Sequence, residues 1–434
     1  MEKDSKMIIS SIDLKDGKVV QLRQGKDLVL ERDNPEELIT EFDKYGEVAI
    51  IDLDAALRNT KADGSTENTA ILKSLLRRGN VRVGGGIRDP KKAKELLSLG
   101  AEKVIIGSAA FALPDGTPGV NTPFLEAMVA AVGREHIIIS VDSRDGKIAV
   151  KGWTESAGID LVEGALAVEQ YCSELLFTCV EREGTMTGID MALVERLRSA
   201  VKCRLVVAGG VSTVEEIAAL EKLGCDVQLG MALYTGKVAL KDGFINCLDW
   251  DKVDLITVVA QSETGEVLMV GYANREAFEK TFATGKLTFW SRSRNVLWTK
   301  GETSGNTLDI VRLRVDCDRD TVLATVRPQG PACHTGAWTC FRTVADRPYS
   351  LPYLSSVIAD RFANPKPGSY TSTLTADRVR EKIMEEAEEL IEAEDKDDVI
   401  WECADLLYFV NVLMNREGVS WQDVLDELDR RHKK

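Results

Sequence analysis

The sequence predicts a multidomain chain: a parallel α/β barrel of the (β/α)8 or TIM type, then an α+β domain, then a small all-α helical bundle. Three observations carry this prediction. From Met7 to about Leu248, eight short β-rich apolar runs alternate with helical patterns, the rhythm of a parallel barrel. Past "LDWDKVD" the chain turns strand-rich, with one clear helix at "NREAFEKTFATG". After "DRPYSLPYLSSVIADRFANPKPGSYTSTLTAD", read as a linker with a short helix, apolar residues recur at helical spacing to the end. The boundaries fall at 1–248, 249–345 and 346–434.

The barrel strands are read at "MIISSIDL", "VAIIDLD", "NVRVGGG", "KVIIGSA", "HIIISVD", "ELLFTCV", "CRLVVAGG" and "DVQLG". An internal repeat supports them. Asp13 of "DLKDGK" recurs as Asp142 of "DSRDGK", Gly85-Gly86 as Gly209-Gly210, and Gly107 as Gly230, at offsets of 129, 124 and 123 positions. Three pairs in one order at nearly one offset mark two similar half-barrels of four βα units, with the repeated hexapeptide on strands 1 and 5.

With 434 residues and 44% apolar content the chain can bury large cores, and its net charge of −15 speaks against binding nucleic acid. No apolar run reaches the ~18 residues that span a membrane, and the N-terminus lacks a signal-peptide pattern, so a cytoplasmic location without membrane contact is expected. Much of the charge is local: residues 375–434 carry 18 acidic against 9 basic side chains. Of nine cysteines, six are scattered, whereas Cys317, Cys333 and Cys340 lie close together. In a cytosolic chain such a cluster points to a metal or to catalysis before disulfides.

In the barrel, "VGGGIRD" and "AGGVST" each end a strand, and "IIGSAA" and "QLGMAL" follow one unit later. Backbone N–H groups at such turns bind phosphate oxygens. Gly85, Gly86, Gly107 and Ser108 thus form one candidate phosphate site, and Gly209, Gly210 and Gly230 its counterpart across the barrel. A substrate with a phosphate at each end follows. Asp13 and Asp142 end opposite strands, where a carboxylate can transfer protons.

"IDLKDGKVVQLRQG", "VGGGIRD", "VDSRDGKIAVKGW", "REGTMTG" and "AGGVS" resemble ProFAR isomerase of histidine biosynthesis over about 240 residues. The resemblance implies an Amadori rearrangement of an N-linked phosphoribosyl aminoaldose to the aminoketose. It makes Asp13 the base, gives Asp142 and Thr178 assisting roles, and places the acid at Glu183. Glu183 departs from the family's usual Asp, Met231 stands where a basic residue is common, and "AALRNTKADGSTENTA" reads as an insertion.

In the middle segment, Cys317, Cys333 and Cys340 are separated by 15 and 6 residues. Three protein thiolates leave a fourth position for water, the arrangement of a catalytic Zn2+. Asp316, Asp318 and Asp320 share one face of an extended segment, and such hard oxygen ligands suit Mg2+. "GEVLMVGYANREAF", "FWSRSRNVLWTKGETSGN", "DCDRD" and "ACHTGAWTCF" resemble phosphoribosyl-AMP cyclohydrolase. That implies hydrolytic opening of the adenine ring at N1–C6, with the three cysteines on Zn2+, the three aspartates on Mg2+ and a homodimer that completes the zinc site. His334 is a candidate proton shuttle. Arg292, Arg294, Lys300, Ser304 and Asn306 are candidate phosphate and ribose contacts.

In the C-terminal helices, Glu385, Glu386 and Glu389 stand at i, i+1 and i+4, and Glu402 and Asp405 at i and i+3. Two facing helices can focus these carboxylates on Mg2+. Glu402 and Asp405 precede the apolar "LLYFVNVLM", beside which a carboxylate needs a counter-charge. The pattern resembles phosphoribosyl-ATP pyrophosphohydrolase of the all-α MazG-like pyrophosphatases, which implies that Lys382 meets a phosphate. Together the resemblances describe consecutive steps on phosphoribosyl nucleotides, hence a trifunctional enzyme. The competing readings are a bifunctional hydrolase whose barrel only binds ligand or supports a dimer, and a metal-dependent nucleotide-binding protein without turnover.

Overall fold

The computed structural model describes residues 8–113, 115–342 and 349–432. All eight expected barrel strands form: β1 Ile8–Lys15, β2 Val48–Asp52, β3 Val81–Gly84, β4 Lys103–Ile106, β5 Ile137–Ser140, β6 Glu174–Thr178, β7 Arg204–Ala208 and β8 Asp226–Leu229. Neighbours pair in parallel, and β8 closes on β1 through Ile8↔Val227, Ile9↔Gln228 and Ser10↔Leu229.

Side chains alternate across each strand. One set packs outward on the helices, as Ile12, Ile50, Val83, Ile139, Phe177, Val207 and Val227 do in the large core cluster. The other set fills the lumen, where Ile9, Ala49, Ile105, Ile138, Leu176, Val206 and Ala208 form a separate apolar cluster.

Both copies of the repeated hexapeptide fold alike. Lys15↔Lys18 and Arg144↔Lys147 close two-residue hairpins whose central pairs, Asp16-Gly17 and Asp145-Gly146, all have positive φ. An Asp-Gly pair is suited to that type I′ turn, because glycine and aspartate tolerate left-handed backbone. Each hairpin continues into a further antiparallel strand, Asp27–Arg32 in the first half and Glu155–Asp160 in the second. The insertion-like segment is tied to the first turn. The Asn68 side chain donates to Asp52, Asp54 and the Leu14 carbonyl, and accepts from the Gly17 N–H.

The middle domain forms a four-stranded sheet in the order Val267–Ala273, Ile256–Ser262, Thr321–Pro328, Leu308–Val315, with a hairpin Thr288–Ser291/Val296–Thr299 and the expected helix Arg275–Thr284. This sheet and the barrel belong to one compact unit, which runs to Gly330 except for Thr264–Glu266. Asp43, which follows helix Pro35–Phe42, is buried and accepts from Arg312 Nε and Arg314 NH2, both at 2.7 Å. Tyr45 stacks on Phe282, and Phe244 on Phe278 and Phe282.

The second unit holds Thr264–Glu266 and Pro331–Lys434. Compactness divides the chain at Gly330; among the described residues the segment from Pro331 carries no strand, and Trp338 Nε1 donates to Glu266. The expected linker contains a 13-residue helix, Leu351–Ala363, capped by Ser350 and anchored by Leu354 and Ile358. Helices Ala376–Glu392, Lys396–Glu417 and Trp421–His432 follow, the second ended by Gly418 in the left-handed conformation at the expected "REGVS" break. Among the described residues no helix is long and apolar enough to cross a membrane.

Candidate active sites

Alternation along the barrel strands brings most of the predicted barrel residues to one place. A cavity of about 240 Å3 at the C-terminal ends of the strands is lined by Asp13, Asp142, Thr178, Glu183, Gly85, Gly86, Gly107, Ser108, Gly209 and Gly230. Gly210 borders a smaller hollow beside it, together with Glu183, Gly209, Met231 and Ala232. The glycine turns are glycine by necessity. Gly85 has φ +105°, and a Cβ there would lie 2.1 Å from the Asp52 carbonyl oxygen; Gly210 has φ +90°, with the Gly188 carbonyl 2.7 Å from such an atom. Gly107 and Gly230 each cap a single short turn, Ser108–Phe111 and Met231–Tyr234, so the two halves match at this level too.

The three carboxylates differ in surroundings. Asp13 is pushed up to about 6 by burial, opposed by the Ser11 hydroxyl, which donates to it at 2.8 Å. Asp142 is also raised by burial, but it accepts from Trp153 Nε1 and Ser140 Oγ, both at 2.7 Å, and from Thr178. Glu183 is pushed up to about 8 by burial and by the nearby charges of Asp13 and Asp142. The cavity therefore holds, at neutral pH, a largely protonated acid facing a largely ionised base, the separation that acid–base catalysis needs. Glu183 reaches this position from a loop held by Gln24, whose N–H donates to the Glu183 carbonyl and whose side chain donates to the Glu181 carbonyl.

Sequence reasoning missed Ser11, Ser140 and Trp153. Ser11 and Ser140 each stand two residues before a predicted aspartate, on the same strand face, and that period-two spacing was the available signal.

The predicted middle-domain site is divided. Asp316, Asp318 and Asp320 come together, with carboxylate oxygens within 4.8 Å of one another, as a divalent cation requires. Lys252 offsets part of their charge, pairing with Asp318 at 2.5 Å and with Asp320. Cys317 is exposed in the first unit, whereas Cys333 and Cys340 belong to the second. There a tight turn, Cys333 N–H to the Ala337 carbonyl and Gly336 N–H to the Cys333 carbonyl, presents the Cys333 thiol; hydrogen bonds from Thr335 hold that thiol below its usual range. His334 is exposed on this turn, its Nδ1 4.0 Å from the Cys333 Sγ. Arg292 lies over the Tyr272 ring at 3.6 Å, and Arg294 donates to Ser291. Lys300 is buried with its Nζ on the Asn306 carbonyl, and Ser304 accepts from the Asn306 N–H, so these three residues shape one loop.

In the helical unit, Glu386, Glu389 and Glu402 converge within 4.8 Å. Glu402 is raised by burial and by the neighbouring Glu389, Glu386 and Asp405, and its Oε2 is buried without a hydrogen-bond partner among the described residues. Such an orphaned oxygen beside two further carboxylates fits a cation ligand set. Glu385 instead pairs outward with Lys382 at 2.7 Å, and Lys382 also holds Glu386 at 2.6 Å.

Comparison with known proteins follows the same division. The family model "Histidine biosynthesis protein" matches residues 7–239, "Phosphoribosyl-AMP cyclohydrolase" residues 269–342, and "Phosphoribosyl-ATP pyrophosphohydrolase" residues 351–432. The chain is 42% identical over 204 residues to the histidine biosynthesis bifunctional protein HisIE of Photobacterium profundum, covering 99% of that protein and 44% of this one. It is 43% identical over 187 residues to HisIE of Bacillus subtilis, covering 90% of that protein and 40% of this one. The chain belongs to the histidine biosynthesis protein family by its barrel, and to the cyclohydrolase and pyrophosphohydrolase families of the HisIE proteins by the rest.

Proposed function

We propose that this chain performs three consecutive steps of histidine biosynthesis. The helical unit hydrolyses phosphoribosyl-ATP to phosphoribosyl-AMP and pyrophosphate, the middle domain opens the purine ring, and the barrel isomerises the resulting aminoaldose to the aminoketose. For the barrel, one observation carries the reading: Asp13, Asp142, Thr178 and Glu183 line one cavity flanked by two matching glycine turns. The turns bind the two phosphates. Protonated Glu183 donates to the furanose ring oxygen, opening the ring to a Schiff base. Asp13 then removes the C2 proton, and the enaminol that forms tautomerises to the ketone. Asp142, held by Trp153, Ser140 and Thr178, is oriented toward the same cavity and stabilises the cationic Schiff base.

In the other two domains the reading takes metal ions: two acidic clusters offer the oxygen donors of a divalent cation, and three cysteines the soft donors that zinc prefers. Cys317, Cys333 and Cys340 would hold Zn2+, Asp316, Asp318 and Asp320 would hold Mg2+ in place of Lys252, and Glu386, Glu389 and Glu402 with Asp405 would hold Mg2+. When bound, zinc supplies hydroxide near neutral pH and magnesium offsets polyphosphate charge. Lys382 and Glu385 stand at the rim of the helical cluster, where the cation meets phosphate as Glu385 releases it. Nine free cysteines, three of them in a ligand set, are compatible with work in the reducing cytoplasm.

Feeding the purified full chain phosphoribosyl-ATP with Mg2+ and Zn2+ tests the sequence of steps. The expected end product is the aminoketose; accumulation of the aminoaldose removes the isomerase step. Glu402→Gln is expected to slow pyrophosphate release at least ~100-fold while phosphoribosyl-AMP supplied directly is still opened at the wild-type rate, read by chromatography of each product.

A homodimer is part of this reading. In the helical unit Met384, Ile391 and Trp401 are 67%, 83% and 69% exposed, and Ile400, Leu425 and Leu428 add to the apolar surface. Monomers rarely leave so much uncovered. Trp401→Glu is expected to shift the protein from dimer toward monomer in light scattering; an unchanged mass places the dimer contact elsewhere.

A further inference from the structure

The two half-barrels differ in the lumen directly beneath the glycines that end β4 and β8. On β4 the inward residues run Lys103, Ile105, Gly107; on β8 they run Asp226, Gln228, Gly230. Gly107 and Gly230 both cap the phosphate-side turns, so Ile105 and Gln228 occupy equivalent places directly beneath them. Ile105 belongs to the apolar layer of the lumen with Ile9, Ile138, Leu176 and Val206. Gln228, in register with Ile9 of β1 and Ala208 of β7, puts a carboxamide into that layer.

A carboxamide among apolar side chains is costly unless its polar atoms find partners. Gln228 Oε1 is buried and accepts no hydrogen bond from any described residue. Gln228 lines both the main cavity and the smaller hollow bounded by Gly209, Gly210 and Gly230, so it stands at their junction. A phosphate at the β7–β8 turns puts the attached sugar at that junction, and the hydroxyls of a ribose are hydrogen-bond donors. The equivalent place in the other half offers only the Ile105 side chain.

We propose that Gln228 accepts a hydrogen bond from a hydroxyl of the phosphoribosyl group seated at the β7–β8 turns, a contact that the Ile105 half does not offer. This rests on the reading that the barrel binds phosphorylated sugars, and it gives two halves that are alike in their glycine turns different contacts to the sugar. A neutral hydrogen bond of this kind is worth roughly three- to tenfold in affinity.

The test needs no turnover. Titration calorimetry on the full chain compares ribose 5-phosphate with its 2-deoxy and 3-deoxy analogues and with inorganic phosphate. Wild type is expected to prefer ribose 5-phosphate roughly three- to tenfold over at least one deoxy analogue. Gln228→Leu should lose that preference and bind inorganic phosphate as wild type does. Gln228→Met, unbranched and of similar length, repeats the comparison if leucine disturbs the packing. The proposal is overturned if wild type shows no preference, if both variants keep it, or if phosphate affinity falls together with that for the sugar. Binding with the expected preference but without aminoketose formation leaves Gln228 in its role and removes only the isomerase step.

Discussion

Glu183→Gln is expected to lower kcat/KM for conversion of aminoaldose to aminoketose by about 100- to 10,000-fold, the usual contribution of a positioned general acid. The amide keeps the size of the side chain but cannot donate the proton that opens the ribose ring. Wild-type activity should follow a bell in pH with limbs near 6 and 8, reflecting Asp13 pushed up to about 6 and Glu183 pushed up to about 8. Below the first limb the base is protonated; above the second the acid is ionised. Because the two groups interact, the limbs belong to the pair more than to either residue. Glu183→Asp retains an acid but withdraws it by one methylene from a loop fixed by Gln24. A displacement of about 1 Å costs on the order of 100-fold, so the expected order is wild type, then Asp, then Gln. Opening of the purine ring by the same preparation serves as the internal control. A Gln variant with wild-type isomerisation would falsify the assignment of the acid.

The elements of the barrel were legible because their signals are local in sequence: each strand carries its own apolar run, and glycines mark the turns after β3, β4, β7 and β8. The repeated aspartates and glycine pairs then fixed the mouth of the cavity, since equivalent residues of two half-barrels must occupy equivalent places. Glu183 was found only by resemblance; nothing in "EREGT" by itself distinguishes a buried acid from the exposed charge that most glutamates are. Burial decides that role, and burial depends on Gln24 and on the strands that bring Asp13 and Asp142 near. The acidic helices illustrate the opposite case. Their spacing offered five carboxylates, but among the described residues only Glu386, Glu389 and Glu402 bring their oxygens within 4.8 Å of one another, and Lys382 pairs with both Glu385 and Glu386. Spacing along two helices brings five carboxylates to facing sides, and which of them meet is set by the packing of one helix on the other.

The base of the barrel was legible in principle and was not read. Glu47, just before β2, and the inward residues Arg82, Lys103, Glu174, Arg204 and Asp226 at the N-terminal ends of the later strands stand two positions below the apolar layer of the lumen. They form one network of three cations and three carboxylates. Arg82 pairs with Glu47 and Glu174, and Arg204 with both of these at 3.1 Å and with Asp226, while Lys103 reaches Glu174 at 3.5 Å. Burial opposes the charge on Glu47, yet Arg82, Arg204 and Lys103 hold its carboxyl well below the ordinary range. Its contribution to stability is therefore complete at neutral pH and is withdrawn as acid protonates it. Arg82 is 1% exposed and Glu174 is fully buried, so Arg82→Met leaves a net negative charge in the sealed base of the barrel.

Removing one partner of a buried pair costs about 3 to 5 kcal/mol. Arg204 and Lys103 still face the orphaned carboxylates, which places the expected loss near 3 kcal/mol, measured as a shift in the urea midpoint of the barrel transition. Combining Arg82→Met with Glu174→Gln restores neutrality and should recover more than half of the loss. If the double variant is no more stable than the single one, the network acts through the packing of the Arg82 side chain and not through its charge.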